Sequence, residues 1–271
     1  MRFDGKVAVV TGASRGIGRA TALALAIEGC TVVVNYNRGQ EKAREVVEEI
    51  KTVKARTIAV RCDVSVRNEV EGMFKTTVDE FGKVDILVNN AGIAVMAPIL
   101  ETTDELWDRT LNTNLKSVFI CTQVAARHMM QRKYGKIVNI SSNSGFGIAC
   151  WGETAYAASK AAVIQLTKSA AFELGQYGIN VNCVAPGAID TEMLRGDLTD
   201  QEYAKLIDGR KKISSLGLVG KPEDISKVVL FFASDDSRFK TRLCWSMVAE
   251  ETSYEENVSQ DPVGRIWVLK R

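Results

Sequence analysis

Histidine is nearly absent from this chain of 271 residues, which contains a single one, His128. One histidine cannot supply a histidine-based metal cluster. Its position next to Met129 and Met130, in a helical stretch, favours an ordinary helix-surface residue over a catalyst. Acid/base chemistry near neutral pH must therefore come from other side chains.

The chain also lacks an excess of charge and any long apolar run. Its 35 lysines and arginines balance 33 aspartates and glutamates, leaving a net charge of +2. Nothing in this balance indicates a nucleic-acid or membrane partner. No stretch approaches the roughly 18 apolar residues of a membrane span, and residues 1–6 do not resemble a signal peptide. We therefore expect a cytoplasmic protein.

The cysteines show none of the paired spacings that are typical of metal ligands. The six cysteines are scattered, and four lie within apolar or strand-like runs, where cysteine behaves as a small hydrophobic residue. A disulfide scaffold or a zinc site is not expected, and we predict no metal.

Short β-branched runs alternate with longer helical patterns. The predicted strands are 6–11, 31–36, 57–61, 86–89, 136–141 and 180–185. The predicted helices are 16–28, 40–54, 69–81, 104–131 and 156–176. Several strands are apolar throughout, as parallel strands covered on both faces are. The alternation predicts an α/β fold with a single doubly wound parallel sheet of the Rossmann-like kind.

A glycine-rich turn links the first predicted strand to the first helix. It contains Gly12, Gly16 and Gly18, so its backbone can turn sharply and approach a pyrophosphate at the helix N-terminus. Three glycines alone are a weak signal, because tight turns also use them. Their place between a strand and a helix predicts dinucleotide binding.

Further motifs follow later elements in a fixed order. They are the sequence 89–92 (Asn-Asn-Ala-Gly), Asn114, Ser142, the pair Tyr156 and Lys160, and the sequence 186–187 (Pro-Gly). Over roughly residues 3–240, the chain resembles the short-chain dehydrogenase/reductase family and is most similar to its 3-oxoacyl-acyl-carrier-protein reductases.

This resemblance implies a catalytic set of Asn114, Ser142, Tyr156 and Lys160. Tyr156 would exchange the proton with the substrate oxygen, and Ser142 would orient and polarise that oxygen. Lys160 would lower the pKa of Tyr156 and bind the nicotinamide ribose. Asn114 would hold a water linking Lys160 to solvent. Taken singly, Ser142 and Asn114 could equally be capping residues.

The cofactor is expected to be NADP(H). The second strand ends without the acidic residue that NAD enzymes use, since Tyr36 stands there, and Arg15 and Arg38 could bind a 2′-phosphate. The alternative is that both are ordinary surface arginines. The predicted cofactor-binding residues are Gly12, Ser14, Arg15, Gly16, Ile17, Gly18, Asn37, Arg38, Asp63, Val64, Asn90, Ala91, Gly92, Tyr156, Lys160, Pro186, Gly187, Ile189 and Thr191.

We predict an NADP(H)-dependent carbonyl reductase or alcohol dehydrogenase, with a 3-oxoacyl thioester as the favoured substrate. Another ketone, a sugar or a steroid is the alternative, and a non-catalytic NADP(H)-binding protein is a further one. The substrate would be a small carbonyl or alcohol, free or linked to a carrier protein. Apolar side chains expected around it are Ile93, Met96, Phe146, Ile148, Trp151, Ile189, Met193 and Leu194.

The C-terminal segment departs from the family. The resemblance ends near Phe239, which divides the chain into a domain at 1–239 and a divergent tail at 240–271. Relatives continue through a last strand to Val-Asp-Gly-Gly. With Ser246 encoded by TCN, its commonest codon type, the codons for 244–249 read one base earlier force Leu, Val and Gly and permit Asp and a second Gly. We therefore predict a frameshift from about Lys240, against the alternative of a genuinely divergent tail.

Three consequences follow from a frameshift in the protein itself. The tail would replace the usual last strand and leave an unprotected sheet edge. Residues 250–271 would be poorly ordered. The homo-oligomer of the family, a tetramer, would assemble only as far as the altered C-terminus permits.

Overall fold

The computed structural model describes residues 1–147 and 150–247. Its centre is one parallel sheet in the order β3-β2-β1-β4-β5-β6-β7. The seven strands are β1 Val7–Val10, β2 Thr31–Tyr36, β3 Thr57–Arg61, β4 Ile86–Asn89, β5 Gly135–Ile140, β6 Ile179–Pro186 and β7 Cys244–Met247.

Helices cover both faces of this sheet. They are α1 Gly16–Ile27, α2 Gln40–Thr52, α3 Arg67–Phe81, α4 Asp104–Leu111, α5 Ser117–Met130, α6 Thr154–Leu174, α7 Glu192–Arg195, α8 Asp200–Ile213 and α9 Pro222–Ala233. One core cluster joins the sheet to α1, α2 and α9, with Leu25, Ile50 and Phe232 fully buried. The other joins it to α3, α5 and α6. The expected doubly wound α/β fold is confirmed.

The six strands predicted from β-branched runs all form, with bounds that differ by at most one residue. Residues 104–131 differ from the prediction of one helix, because a π-helical turn at Asn112–Lys116 separates α4 from α5. Helices α7, α8 and α9 were not predicted. Within the described residues, no helix is long and apolar enough to cross a membrane.

The prediction that the sheet loses its last strand is wrong. Strand β7 pairs in parallel with β6, from Cys183 opposite Cys244 to Pro186 opposite Met247. The segment supplies an apolar residue at every second position, as a strand with one buried face requires. Leu243 and Met247 pack on the core, and Trp245 lies 5.8 Å from the Phe231 ring. The tail from 248 onward lies outside the described residues, including the segment 250–271 that was expected to be poorly ordered.

The carboxyl ends of β1, β2, β4, β5 and β6 meet at one edge of the sheet. Strand order reverses between β1 and β4, since the chain first builds outward through β2 and β3 and then returns to the other side of β1. Such a switch point opens a crevice beyond the strand ends, which is where ligands bind in open α/β sheets. Each motif found in the sequence lies near this edge.

Candidate active site

The glycine-rich turn after β1 is held by hydrogen bonds from its neighbours. Asn35, buried in β2, accepts from the Gly12 amide at 3.1 Å through its Oδ1 atom, and its backbone carbonyl accepts from the Ala13 amide at 2.8 Å. Gly12 and Gly16 have φ angles of 61° and 54°, which glycine adopts without strain. The turn is therefore fixed in shape before any ligand arrives.

Asn90 ties the same turn to β4. Its Nδ2 atom donates to the carbonyls of Thr11 and Gly12 at 2.9 and 3.0 Å. Gly18 packs beneath this contact, where a Cβ would lie 2.4 Å from the Gly12 carbonyl oxygen. Gly18 is thus required for packing, and it is not among the residues lining the cavity described next.

A cavity of about 900 Å³ lies over the turn and the adjoining strand ends. Helix α1 begins at this cavity without a side-chain cap, so its first amides are available to an anion. Of the predicted cofactor residues, those that line the cavity are Gly12, Ser14, Arg15, Gly16, Ile17, Asn37, Arg38, Asp63, Val64, Asn90, Ala91, Gly92 and Thr191. The cavity's size, uncapped helix and basic side chains fit a nicotinamide dinucleotide.

The basic end of the cavity carries Arg15 and Arg38, with Lys42 at the start of α2. Asp63 faces them, but its carboxylate accepts hydrogen bonds from Ser65 and Asn37. Partial burial alone would raise the pKa of Asp63. The hydrogen bonds and the nearby Arg38 outweigh it, so the pKa lies below its ordinary value. This carboxylate is therefore ionised and already bonded by its neighbours.

The residues predicted to be catalytic form a cluster at the start of α6. Ser142 follows β5, and its hydroxyl is hydrogen-bonded to the Tyr156 phenol. Lys160, one helical turn after Tyr156, is buried with its Nζ atom 5.7 Å from the centre of the Tyr156 ring. That Nζ atom donates to the Ile140 carbonyl at 2.9 Å. The expected side chains of the β5 end and α6 are therefore together.

Asn114 joins this cluster from the π-helical turn between α4 and α5. Its Oδ1 accepts from the Ile93 amide at 2.8 Å, and its Nδ2 donates to the Ile93 carbonyl and to the Ser159 hydroxyl. The side chain thus pins the loop after β4. Both polar atoms of the Asn114 side chain are therefore already hydrogen-bonded. The water predicted to link Lys160 to solvent would have to bind a backbone group of Asn114.

Gly92 connects the cluster to the cavity. It lines the cavity, and a Cβ placed on it would lie 3.2 Å from Asn114 Oδ1 and 3.5 Å from Lys160 Nζ. A ligand that fills the cavity as far as Gly92 therefore reaches the neighbourhood of Lys160.

The pKa of Tyr156 is raised, opposite to the lowering expected from the sequence. Burial is the main cause, the hydrogen bond from Ser142 opposes it, and the negative charge of Glu153 adds to it. Burial lowers the pKa of Lys160 to about 8. The lysine ammonium is directed at Ile140 rather than at the phenol, so desolvation prevails. A phenol with a raised pKa stays protonated at neutral pH.

Several predicted residues lie elsewhere. Tyr156, Lys160, Pro186, Gly187 and Ile189 are not among the residues that line the cavity. The Gly187 amide donates to Met247 in β7, and Ile189 is buried in the core. Of the apolar residues expected around the substrate, Ile148 lies outside the described residues. Those that are about half exposed are Met96, Phe146, Trp151 and Met193.

Sequence reasoning missed other residues of the cavity. The missed lining residues are Asn35, Gly39, Gln40, Glu41, Lys42, Cys62, Ser65, Arg109, Asn112, Thr113 and Glu192. Most adjoin residues that were predicted. Arg109, on α4, had no motif to mark it. Ile93 and Met193, expected around the substrate, and Tyr36, expected at the end of the second strand, also line the cavity.

Residues 6–202 match the family model of the short chain dehydrogenases. The chain belongs to the short-chain dehydrogenase family. It is therefore an oxidoreductase that acts on carbonyl and hydroxyl groups with a nicotinamide cofactor.

Two relatives illustrate the range of this family. The 3-oxoacyl-[acyl-carrier-protein] reductase of Staphylococcus aureus (strain Mu50) is 44% identical over 87% of this chain and 94% of its own. The (2S)-[(R)-hydroxy(phenyl)methyl]succinyl-CoA dehydrogenase subunit of Thauera aromatica is 41% identical over 89% and 94%. A short-chain dehydrogenase from Burkholderia cenocepacia, solved in complex with NADP, superposes with a TM-score of 0.84 at 35% identity, covering 92% of this chain and 99% of that one.

Proposed function

We propose that this short-chain dehydrogenase is an NADP(H)-dependent reductase that converts a 3-oxoacyl thioester to the 3-hydroxyacyl form. One observation carries the proposal. Gly92 lines the cavity that fits the dinucleotide and lies next to Lys160, so the cavity adjoins the cluster containing Tyr156 and Ser142.

The preference for NADP(H) rests on the basic end of the cavity. Arg15, Arg38 and Lys42 line it, and Tyr36 ends β2 where a carboxylate would bind an unphosphorylated ribose. Arginine suits a phosphate because its planar group can donate two hydrogen bonds. The related Burkholderia cenocepacia protein binds NADP, which supports the same choice here.

The protein's own groups would bind the dinucleotide and manage the proton. Amides of the turn from Gly12 to Ile17 and the start of α1 hold the pyrophosphate. When bound, the reduced nicotinamide supplies the hydride to the carbonyl carbon. Tyr156 gives its phenolic proton to the carbonyl oxygen, completing the alcohol. Ser142 donates a hydrogen bond to that same oxygen and stabilises the negative charge that develops on it.

Lys160 is suited to return the proton to Tyr156. Its pKa of about 8 lets the ammonium release and recover a proton near neutral pH. Because it is buried behind the phenol, this exchange would need a path through groups or water at the cluster.

The choice of a thioester rests on two supports. Both relatives are named for acyl groups on a carrier, the acyl carrier protein in one and CoA in the other. Half-exposed apolar side chains, including Met96, Trp151 and Met193, suit an acyl chain better than a bare sugar. A steroid or another apolar ketone would use the same surface and remains the competing substrate class.

Turnover of a substrate panel with both cofactors tests the proposal. Purified protein is given acetoacetyl-CoA, a simple ketone, a keto-steroid and a keto-sugar, and oxidation of NADPH or NADH is followed by absorbance. We expect the highest kcat/KM for acetoacetyl-CoA with NADPH. A higher value for the steroid or sugar would overturn the substrate class, and a preference for NADH would overturn the cofactor assignment.

A further inference from the structure

The catalytic cluster contains a carboxylate, Glu153, to which the mechanism above gives no role. Glu153 lies immediately before α6 and is half-buried. Its Oε2 atom accepts a hydrogen bond from the Ser144 hydroxyl at 2.7 Å. Ser144 is buried in the short turn Asn143–Phe146 that follows β5.

Ser144 is in turn bonded to the catalytic serine. The Ser144 amide donates to Ser142 Oγ at 3.2 Å, and the Ser142 hydroxyl lies 3.3 Å from Ser144 Oγ. A carboxylate oxygen accepts, so the Ser144 hydroxyl donates its proton to Glu153. The Ser144 amide holds Ser142 Oγ, which leaves the single Ser142 proton to be donated to the Tyr156 oxygen or to a substrate oxygen. A series of hydrogen bonds therefore leads from Glu153 through Ser144 and Ser142 to the Tyr156 phenol.

We propose that Glu153 is a positioning residue of the catalytic site, fixing the Ser142 hydroxyl through Ser144 and placing a negative charge beside the Tyr156 phenol. The inference rests on the proposed carbonyl reduction. It assigns Glu153 two separable effects, one made by its hydrogen bond and one by its charge.

The charge opposes ionisation of Tyr156. It raises the pKa of the phenol in addition to burial, so the protonated form that reduction requires is favoured. The other titratable groups at the cluster are Lys160 on the same helix and Cys183 on β6 next to Lys160, while Arg109 of α4 lines the adjoining cavity. Alcohol oxidation requires the phenolate and should therefore begin only at higher pH than it would without Glu153.

Two substitutions separate the effects. Glu153→Gln removes the charge and retains an oxygen that can accept from Ser144. We expect the pH profile of kcat/KM for alcohol oxidation to move down by about 0.5 to 1 pH unit, because loss of the negative charge stabilises the phenolate. Ser144→Ala keeps the charge and breaks the hydrogen-bond series. We expect it to lower kcat for reduction about tenfold, with KM changed less than threefold and the profile unmoved.

Glu173→Gln, an exposed carboxylate at the far end of α6, is the matched control and should change neither quantity. An unmoved profile for Glu153→Gln would overturn the role of the charge. Wild-type kcat in Ser144→Ala would overturn the role of the hydrogen bond. NADPH binding, followed by fluorescence, confirms that each variant is folded.

A readout without turnover keeps this inference distinct from the proposed function. The phenol can be titrated by tyrosinate absorbance, with Tyr156→Phe as the blank, in wild-type protein and in Glu153→Gln. A wild-type protein that reduces no carbonyl of the panel would overturn the proposed function. The absorbance titration would still decide Glu153, since an equal Tyr156 pKa in both proteins would refute it.

Discussion

Tyr156 illustrates how single residues are set by their surroundings. An ordinary tyrosine has a pKa near 10, and burial at the start of α6 moves it upward rather than toward neutrality. The Lys160 ammonium donates to the Ile140 carbonyl, and the pKa of Tyr156 remains raised. The protein thus holds a phenol that is protonated across the physiological range, which suits proton donation to a carbonyl.

Removing the phenolic hydroxyl should abolish this donation. We expect Tyr156→Phe to lower kcat by about 10²–10⁴, because general acid catalysis contributes that much, while NADPH affinity changes only a few-fold. Steady-state kinetics and fluorescence titration measure the two quantities. Tyr134→Phe, which removes a hydroxyl bonded to Asp235 at the opposite end of β5, should retain activity. More than a tenth of wild-type turnover in Tyr156→Phe would refute the assignment.

The basic end of the cavity permits a second test at this scale. Arg38→Asp should shift the ratio of kcat/KM for NADPH over NADH by tenfold or more toward NADH, since a carboxylate repels the 2′-phosphate and can accept from the ribose hydroxyls. Arg44→Asp, on α2 outside the cavity lining, makes the same charge change and should leave the ratio unaltered. Wild-type protein that already prefers NADH would show that Arg15 and Arg38 do not select the cofactor.

At the scale of elements, the turn after β1 depends on close packing as well as on backbone freedom. Gly18 has no room for a side chain, since a Cβ would lie 2.5 Å from Asn90 Nδ2 as well as against the Gly12 carbonyl. Any added atom would displace Asn90, which holds the turn to β4. The shape of the glycine-rich turn and the stability of the fold are therefore coupled there.

We expect Gly18→Ala to lower the free energy of unfolding by about 1–3 kcal/mol through overpacking, and to weaken NADPH binding. Gly72 is the matched control, because it lies within α3 with open space around its Cα. Gly72→Ala should raise the free energy of unfolding by about 0.5–1 kcal/mol through its better helix propensity. Urea denaturation measures both changes, and a Gly18→Ala protein as stable as wild type would contradict the packing argument.

Local patterns explain which elements the sequence revealed. Strands β1 to β6 were predictable because β-branched and other apolar residues fill them, and the glycine-rich turn because its glycines adjoin a strand. Helix α8 buries no residue, so it lacks a clear apolar stripe. Its capping box, Thr199 with Glu202, was a signal that could have found it. The π-helical turn depends on the distant contact of Asn114 with Ile93, which sequence spacing does not show.

The sequence predicted which residues form the site better than it predicted their pKa shifts and hydrogen bonds. Motif positions named Ser142, Tyr156 and Lys160, and the structure brings them together. The direction of the Tyr156 pKa could not be inferred, because it depends on burial and on Glu153, whose contact with Ser144 arises only in the folded turn. The role of Asn35 could not be predicted either, because its hydrogen bond with the Gly12 amide joins residues that are 23 positions apart in the sequence.

For the molecule as a whole, β7 decides how the sheet ends. Without β7, strand β6 would be the edge of the sheet, and its unpaired backbone groups would be open to solvent. With it, Asn180 and Asn182 bond the chain near Lys240, the Leu243 carbonyl accepts from the Cys183 amide, and Trp245 covers α9. A segment that departs from the family sequence can therefore still complete the sheet, because pairing uses the backbone and needs only alternate apolar side chains.

The origin of the C-terminal segment, by frameshift or by true divergence, can be tested in the gene sequence. If a frameshift produced the segment from about Lys240, Ser246 must be encoded by TCN, since only that codon yields Val in the frame one base earlier. The same frame must then encode Asp where Ser246 meets Met247, and Gly at the last position of the motif. Sequencing the gene in both directions checks each base. An AGY codon for Ser246 would remove the shifted frame and leave a genuinely divergent C-terminus.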